Sequence, residues 1–207
     1  GHIWIGTFRG LNKNNVHDYH QYFCTDDSLG LPDNQITHLL RDSKNRFWVG
    51  TVNGVCLYTD KDNFRIIPIE ADNKNVRQIL EDRNGRIFLN TGFQLYAYHP
   101  REEKITCVLP EISPGNAFYA QCHIAPDNNL WVMTSTGLRC YDPSTLQLKE
   151  SVALSGYPYY SYLHNNELWI TGNHTLSIFD TRTRSFKPLP QPIARNTTLC
   201  NADIDYI

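Results

Sequence analysis

A short segment near the start of the chain is rich in side chains that bind metals. His17, His20 and Cys24 offer imidazole and thiolate groups, and Asp18 and Asp26 lie close to them in the sequence. Zinc sites combine such ligands at regular spacings. The spacing here matches no standard zinc pattern, and the segment has the composition of a polar loop with an outer strand. We therefore predict solvent-exposed side chains and no metal site.

The six cysteines indicate packing rather than metal or cofactor chemistry. None belongs to a Cys-x-x-Cys pair, which argues against structural zinc. Four lie in stretches with strand character, where cysteine usually serves as a small buried apolar residue. These four are Cys56, Cys107, Cys122 and Cys140. We predict that they are buried and that the chain holds no cofactor, and the disulfide state stays open.

Aromatic side chains form a further group of interest, because they bind sugars. Residues 157–162 read YPYYSY, and the chain holds 12 tyrosines. Aromatic faces support the C–H groups of a sugar ring, while planar polar side chains bind its hydroxyls. Alternate tyrosines of a strand also pack between neighbouring sheets, which is the more common role for such residues. Both roles stay open for each tyrosine.

Five aromatic anchors place all of these groups in a repeating framework. The anchors are Trp4, Trp48, Phe88, Trp131 and Trp169, at spacings of 44, 40, 43 and 38 residues. A Gly or Asn stands three positions before each anchor, and an aromatic residue returns ten positions after each of the last four, at Tyr58, Tyr98, Tyr141 and Phe179. A period of about 40 residues is typical of propeller blades. A blade cannot bury its own faces alone, so neighbouring blades must stack.

The second repeat shows what each blade should contain. Its pattern predicts strands at residues 35–41, 46–51, 55–58 and 64–69, separated by turn residues. The first strand of the third repeat is predicted at residues 76–80. Asn45 tolerates the left-handed conformation that the turn after the first strand needs. Pro68 cannot donate to a ladder, which predicts that the last strand lies at a sheet edge. Four short strands per repeat indicate a four-stranded antiparallel blade.

The domain organisation follows from the repeats. We predict an all-β protein in which residues 1–207 form a single β-propeller region of about five blades, incomplete at both ends. Residues 1–5 correspond to a second strand without a first, and residues 197–207 resemble a first strand without an anchor. The terminal strand could complete the first blade, or the chain could be a fragment of a longer propeller. The second interpretation is favoured.

Composition limits the partners. The net charge is −2 with scattered basic residues, which disfavours nucleic acid and anionic membrane surfaces as partners. No apolar run approaches the roughly 18 residues of a membrane span.

The repeats resemble a known family. Residues 3–13 read IWIGTFRGLNK, residues 31–36 read LPDNQI and residues 42–55 read DSKNRFWVGTVNGV. This pattern resembles the two-component regulator propeller repeat, typical of the periplasmic sensor regions of Bacteroides-type hybrid two-component system histidine kinases. The similarity is close over residues 1–58, recognisable to Tyr98 and in register to the end.

The resemblance implies a function. Members of the family carry two seven-bladed propellers, so this chain would be a fragment of a larger seven-bladed propeller sensor. They sense oligosaccharides, control polysaccharide utilisation and act as dimers. By this resemblance the chain is a periplasmic ligand-sensing region with no enzymatic activity of its own, and the full-length parent is a sensor histidine kinase. Its partners would be an oligosaccharide and, through the full-length sensor, a second copy. Membrane contact would come only through segments outside this chain.

The expected binding surface follows from propeller topology. Loops between the second and third strands, and linkers from the fourth strand to the next first strand, emerge on the same face. Residues 93–94 belong to the first kind of loop, and residues 71–75 belong to the second. Arg9 also suits a structural role as a partner for loop carbonyls. The candidate ligand-binding residues are Arg9, Asn53, Phe93, Tyr119, Tyr157, Tyr159, Tyr160 and His174.

Two alternatives to a sugar sensor remain. A glycan-cleaving propeller enzyme needs two facing carboxylates. The first strands hold no acid until the terminal one, with Asp203 and Asp205, while Asp42, Glu81 and Asp82 fall in turns. A propeller that serves as a protein–protein interaction scaffold is the stronger alternative, because fold alone does not choose the ligand.

Overall fold

A computed structural model describes residues 2–15, 17–25, 30–59, 62–112, 120–173 and 175–191. Every named element within these ranges is a β-strand, and the strands form five antiparallel sheets. The all-β prediction is confirmed. The chain divides into two compact units, Gly1–Pro110 and Glu111–Ile207.

The first unit contains three sheets, each built from strands that are consecutive in the chain. The first sheet contains β1 (Ile3–Thr7), β2 (Gly10–Asn14) and β3 (Tyr19–Tyr22). The second sheet contains β4 (Ile36–Arg41), β5 (Phe47–Thr51), β6 (Gly54–Tyr58) and β7 (Phe64–Ile67). The third sheet contains β8 (Gln78–Glu81), β9 (Ile87–Asn90), β10 (Leu95–His99) and β11 (Lys104–Leu109).

The second unit contains two sheets with the same order of strands. The fourth sheet contains β12 (Gln121–Ile124), β13 (Leu130–Thr134), β14 (Gly137–Tyr141) and β15 (Leu148–Ala153). The fifth sheet contains β16 (Pro158–His164), β17 (Glu167–Gly172), β18 (Thr175–Asp180) and β19 (Ser185–Lys187).

This topology matches the predicted blades. Four strands per repeat are present in the second to fifth sheets, whereas the first sheet has three and begins with the strand that carries Trp4. The strand preceding Pro68, β7, lies at the edge of its sheet as predicted. β8 begins two residues later than the predicted 76, because the Val76 N–H donates to the Thr51 carbonyl of the neighbouring sheet (3.0 Å) instead of joining the ladder.

All five anchors lie on the second strand of their repeat. Trp48, Phe88 and Trp131 are buried, whereas Trp4 and Trp169 are half-buried. The anchors therefore occupy equivalent positions in equivalent sheets, as the repeat pattern predicts.

Three of the aromatic residues ten positions after an anchor pack against the anchor of the preceding sheet in the same unit. The Trp48 and Tyr98 rings meet edge to face with centroids 4.9 Å apart. The same contact joins Trp4 to Tyr58 (4.8 Å) and Trp131 to Phe179 (5.1 Å). Such aromatic pairs contribute about 0.5–1.5 kcal/mol beyond the area they bury. The repeat thus encodes a contact between sheets.

The turn before the second anchor is organised by the buried Asp42. Its Oδ1 accepts hydrogen bonds from the backbone N–H groups of Lys44 and Arg46, and Asn45 takes the predicted left-handed conformation (φ 63°). Its Oδ2 accepts from Arg46 Nε (2.6 Å) and from the Trp48 indole (2.8 Å). Burial alone would raise the pKa of Asp42, but these hydrogen bonds outweigh it and lower the pKa.

The fourth sheet lacks this acid. Ala125 takes the place of Asp42 and keeps the turn, since its N–H donates to the Asn129 carbonyl (2.9 Å) and its carbonyl accepts from Asn128 (2.8 Å). The Trp131 indole nitrogen is buried with no hydrogen-bond partner among the described residues. The indole nitrogen of the anchor therefore has a hydrogen-bond acceptor in the second repeat and none among the described residues in the fourth.

Candidate functional site

The hairpin between the second and third strands is built by a threonine and a glycine. Thr51 Oγ1 donates to the Gly54 carbonyl (3.0 Å) and accepts from the Asn53 N–H (3.2 Å). Gly54 has φ 131°, a conformation that other residues rarely adopt. Thr7 and Thr134 make the same donation, to Gly10 and Gly137 (2.9 Å each). Each hairpin therefore presents two tip residues.

The linkers between sheets lie at the same end as these hairpins. In the first unit, the Gly10 N–H donates to the Asn34 carbonyl (2.7 Å) and the Val52 N–H to the Gln35 carbonyl (3.2 Å). In the second unit, the Asn173 N–H donates to the Tyr157 carbonyl (3.0 Å). Within each unit, the two kinds of loop thus form one surface, as expected from the sequence.

Five of the predicted ligand-binding residues are accessible at this end of the sheets or close to it. Arg9 and Asn53 are exposed at hairpin tips, and Phe93 is 44% exposed. Tyr157, just before β16, is 55% exposed. Tyr160 is half-buried on β16.

The remaining candidates differ in their placement. Tyr159 is half-buried at a register shift of β16, where Pro158 pairs with Gly172 and Tyr160 pairs with Thr171. Tyr119 and His174 lie outside the described residues. In the described part of the first unit, no hydrogen bond joins the side chains of Arg9, Asn53 and Phe93. Their role in binding stays a prediction.

The third sheet departs from the common hairpin. Asn90 pairs with Leu95, so the ladder of β9 and β10 ends one pair earlier than in the second sheet, although the hairpin has the same number of residues. The fully buried Asn90 supports residues 91–94, because its Oδ1 accepts from the Gly92 N–H (2.7 Å) and its Nδ2 donates to Gln78 Oε1 (2.9 Å). The Thr91 N–H donates to the Gln94 carbonyl (3.1 Å). The loop is thus held in one conformation.

A cleft of about 420 Å³ opens between this hairpin and the preceding linker. The linker that forms one wall of the cleft is joined to the third sheet, because the Ile105 N–H of β11 donates to the Pro68 carbonyl (3.2 Å). The Tyr96 ring is buried, and its hydroxyl donates to Gln94 Oε1 (2.5 Å). Burial raises the pKa of Tyr96, which keeps the phenol protonated. The lining residues are Ile69, Glu70, Ala71, Asp72, Lys74, Gln94, Tyr96 and Cys107.

Sequence analysis found the two loops of this cleft but missed its interior. Linker 71–75 and hairpin residues 93–94 were both expected on the binding face. Tyr96 carries no signal that separates it from a packing residue of a third strand. The prediction that Cys107 is buried is wrong, because its side chain is exposed on β11, the outer strand of the sheet. Cys56, Cys122 and Cys140 are buried as predicted.

The carboxylates expected in turns have structural partners. Asp82, like Asp42, binds the backbone of its own turn, through the N–H groups of Asn84 and Arg86 (2.9 Å each). Glu81 is not in the turn as predicted but is the last residue of β8, where it accepts from the Ser43 N–H (2.7 Å) and hydroxyl (2.5 Å).

The first strands supply no pair of acids within the described residues. Across β4, β8, β12 and β16, Glu81 is the single acidic residue of those described. The facing carboxylates of a glycosidase are therefore not assembled by these four strands. Asp203 and Asp205 lie outside the described residues.

A buried polar network joins the first strands of the fourth and fifth sheets. Gln121 Oε1 accepts from the Ser161 N–H (2.5 Å) and hydroxyl (2.9 Å). His123 Nε2 lies 2.8 Å from the same hydroxyl oxygen, so the imidazole donates to it. Burial lowers the pKa of His123 to about 4. The neutral imidazole serves as a contact between sheets.

The segment with potential metal ligands is described except for Asp26, which lies outside the described residues. His17, His20 and Cys24 are exposed, as predicted. No group of three or more His, Cys, Asp or Glu side chains in the described ranges is placed to hold a metal ion. Among the same residues, the structure contains no helix long and apolar enough to cross a membrane.

Comparisons with known proteins agree with this architecture. The crystal structure of the extracellular domain of a hybrid two-component system from B. thetaiotaomicron is similar over 99% of this chain and 29% of its own, with 21% identity and a TM-score of 0.73. A second such domain from B. thetaiotaomicron is similar over 96% of this chain and 35% of its own, with 15% identity and a TM-score of 0.53. The chain thus spans about a third of the length of these domains or less.

An enzyme shares the fold as well. Virginiamycin B lyase from Staphylococcus aureus is similar over 94% of this chain and 69% of its own, with 17% identity and a TM-score of 0.69. No curated protein matches the sequence.

The stacked four-stranded sheets and these similarities define a β-propeller fold. Residues 30–53 match the family described as the two component regulator propeller. Residues 30–53 therefore carry a two-component regulator propeller repeat, and the resemblance drawn from the sequence is confirmed.

Proposed function

We propose that this chain is a ligand-sensing propeller from the periplasmic sensor region of a hybrid two-component regulator. The observation that carries the proposal is the repeat at residues 30–53, because it belongs to a family of regulator propellers. The similarity to two extracellular domains of hybrid two-component systems supports the same role and an extracytoplasmic location. The ligand is an oligosaccharide, and the parent protein controls polysaccharide utilisation.

The loop end of the sheets suits ligand binding. Rigid sheets hold short hairpins whose tips carry planar polar and aromatic side chains, including Asn53 and Phe93. Binding residues are often placed on loops held by a rigid scaffold. Asp42, Glu81 and Asp82, the acids at the ends of the first strands, are bound by turns and by a neighbouring sheet, which supports recognition rather than hydrolysis.

The proposed mechanism is a shift in population. The full-length sensor is a homodimer with two arrangements, and the oligosaccharide binds one of them more tightly. The membrane segment of the parent then reports the change to its histidine kinase. The chain itself needs no cofactor for this role.

The test uses the full-length protein that contains this chain and a reporter gene under its control. Cells receive a panel of defined oligosaccharides from plant, fungal and host polysaccharides. We expect one class of oligosaccharide to change reporter output and to bind the purified protein. Absence of any response, together with a stable complex with another protein, would support the scaffold alternative instead. Breakdown of a panel member by the purified protein would show an enzyme.

A further inference from the structure

The third sheet breaks the repeat at the cleft. When the sheets are aligned on their anchors, Gln94 and Tyr96 occupy the positions of Gly54 and Cys56 in the second sheet. In the fourth sheet the first of these positions is Gly137, where an added Cβ would lie 2.3 Å from the Val152 carbonyl oxygen. Gln94 and Tyr96 therefore stand where the second sheet has a glycine and a cysteine.

The backbone changes in step with the side chains. The hairpin has the same number of residues as in the second sheet, but its ladder ends at Asn90 and Leu95, one pair earlier, and the register of β10 against β11 shifts between Leu95 and Tyr96. Bulges often lie beside binding sites, where they redirect side chains. The buried Asn90 supports the residues beyond the ladder through its contacts to Gly92 and Gln78. A repeat that departs from the pattern of its neighbours, and whose departure is stabilised by further contacts, is expected at a functional position.

The lining groups complement hydroxyls. The Tyr96 hydroxyl donates to the side-chain oxygen of Gln94. The two N–H donors of the Gln94 amide therefore point away from this hydroxyl. The carboxylates of Asp72 and Glu70 can accept hydrogen bonds from ligand hydroxyls, and the Lys74 ammonium group can donate hydrogen bonds to ligand hydroxyls. Phe93, 44% exposed on the same hairpin, offers an aromatic face. These side chains together can bind hydroxyl groups, which both donate and accept hydrogen bonds.

The net charge of the cleft lining favours neutral sugars over anionic sugars. The lining contains two carboxylates and one ammonium group, so a sulfated or carboxylated sugar would meet net repulsion. A volume of about 420 Å³ lies in the range of about 300–1,000 Å³ typical of small-molecule sites. We propose that the cleft between residues 69–74 and the 91–94 hairpin binds an uncharged oligosaccharide. This inference rests on the proposed function and adds the site and the charge class of its ligand.

An exposed thiol in the cleft provides the test. Cys107 lines the cleft and is exposed, whereas Cys24 is an exposed cysteine outside it. The full-length protein is treated with iodoacetamide, with and without the neutral oligosaccharide that triggers the reporter, and each cysteine is followed by peptide mass spectrometry. At a ligand concentration of about ten times Kd, Cys107 should react roughly tenfold more slowly. Cys24 should react at an unchanged rate, and a sulfated oligosaccharide of equal length should protect neither.

Substitutions give a second readout. Gln94→Ala should weaken binding of the neutral oligosaccharide roughly tenfold, since it removes hydrogen bonds to the ligand. Gln147→Ala is the matched control, because Gln147 is an exposed glutamine outside the cleft. Asp72→Asn should reduce the preference for neutral over sulfated oligosaccharides by up to about fivefold, because it removes one negative charge that is screened by solvent.

The outcomes separate the two proposals. If an oligosaccharide triggers the reporter but leaves Cys107 unprotected, and Gln94→Ala binds it normally, the cleft is not the site and the sensor role stands. Tighter binding of sulfated than of neutral oligosaccharides to the cleft would overturn the charge argument. If no oligosaccharide binds or triggers the reporter, both proposals fail.

Discussion

The unsatisfied indole of Trp131 allows the equivalence of the repeats to be tested by transplantation. In the second repeat, Asp42 binds both the Trp48 indole and the Arg46 guanidinium. The corresponding residues of the fourth repeat are Ala125 and Asn129. The double substitution Ala125→Asp with Asn129→Arg should rebuild the network around Trp131.

The structure sets the size of each effect. A buried donor without a partner costs about 1–3 kcal/mol, which is the most that the graft can recover. Ala125→Asp alone buries a carboxylate without its cation, so we expect a loss of about 1–3 kcal/mol. Asn129→Arg alone removes hydrogen bonds of Asn129 to Asp127 (2.6 Å) and Lys149 (2.8 Å), at about 1–2 kcal/mol.

The double variant should instead be as stable as the parent or more stable by about 1 kcal/mol. The coupling energy of the two substitutions is then about 3–5 kcal/mol, in the range measured for buried pairs. Chemical unfolding followed by tryptophan fluorescence measures all four proteins. Additive losses, with a coupling energy near zero, would show that the fourth repeat does not place these side chains as the second repeat does.

Three further predictions concern contacts between sheets and their turns. Asp42→Asn should lower the free energy of unfolding by up to about 3–5 kcal/mol, because the half-buried Arg46 guanidinium loses its counterion; urea unfolding measures it, and a loss below about 1 kcal/mol would argue against the network. Tyr98→Leu keeps apolar volume but removes the edge-to-face contact with Trp48, so a double-mutant cycle with Trp48→Leu should give a coupling of about 0.5–1.5 kcal/mol. The pKa of His123 is lowered to about 4 by burial, so its unfolded form binds a proton that the folded form refuses between about pH 6.5 and 4. Stability should therefore fall by about 2–3 kcal/mol as the pH drops through this window, and His123→Gln, which keeps a donor for Ser161, should flatten the profile. An unchanged slope in that variant would assign the effect to other groups.

Local signals made the sheets predictable from the sequence. The turn at Asp42 and the left-handed Asn45 depend on a few adjacent residues, and so does the edge position of the strand before Pro68. The anchors mark the second strand because apolar residues on both sides of Trp48 require a strand covered on two faces. These features need no knowledge of the neighbouring sheet.

Contacts between sheets could not be read in the same way. The period showed that an aromatic residue returns after each anchor, but not that Tyr98 packs on the anchor of the preceding sheet. The first strand of the third repeat was predicted to begin too early, because the Val76 N–H is used by the Thr51 carbonyl of another sheet. Pairing over such separations depends on how the sheets stack.

The cleft shows the same division. The third hairpin has Asn90, Thr91 and Gly92 where the first two repeats have a Gly-Thr pair, and this difference is visible in the sequence. The cleft beside it is lined by Tyr96 and Cys107, which pair with each other at the register shift between β10 and β11. Sequence alone shows the departure from the repeat, whereas the cavity requires the packed structure.

The location of a bound sugar is the decisive observation. A structure of the full-length protein with the neutral oligosaccharide that triggers its reporter should show the sugar between residues 69–74 and the 91–94 hairpin. The Gln94 amide and the Asp72 carboxylate should bind its hydroxyls. A sugar bound on another surface, with this cleft empty, would show that the third repeat is irregular for another reason and that the cleft does not recognise the ligand.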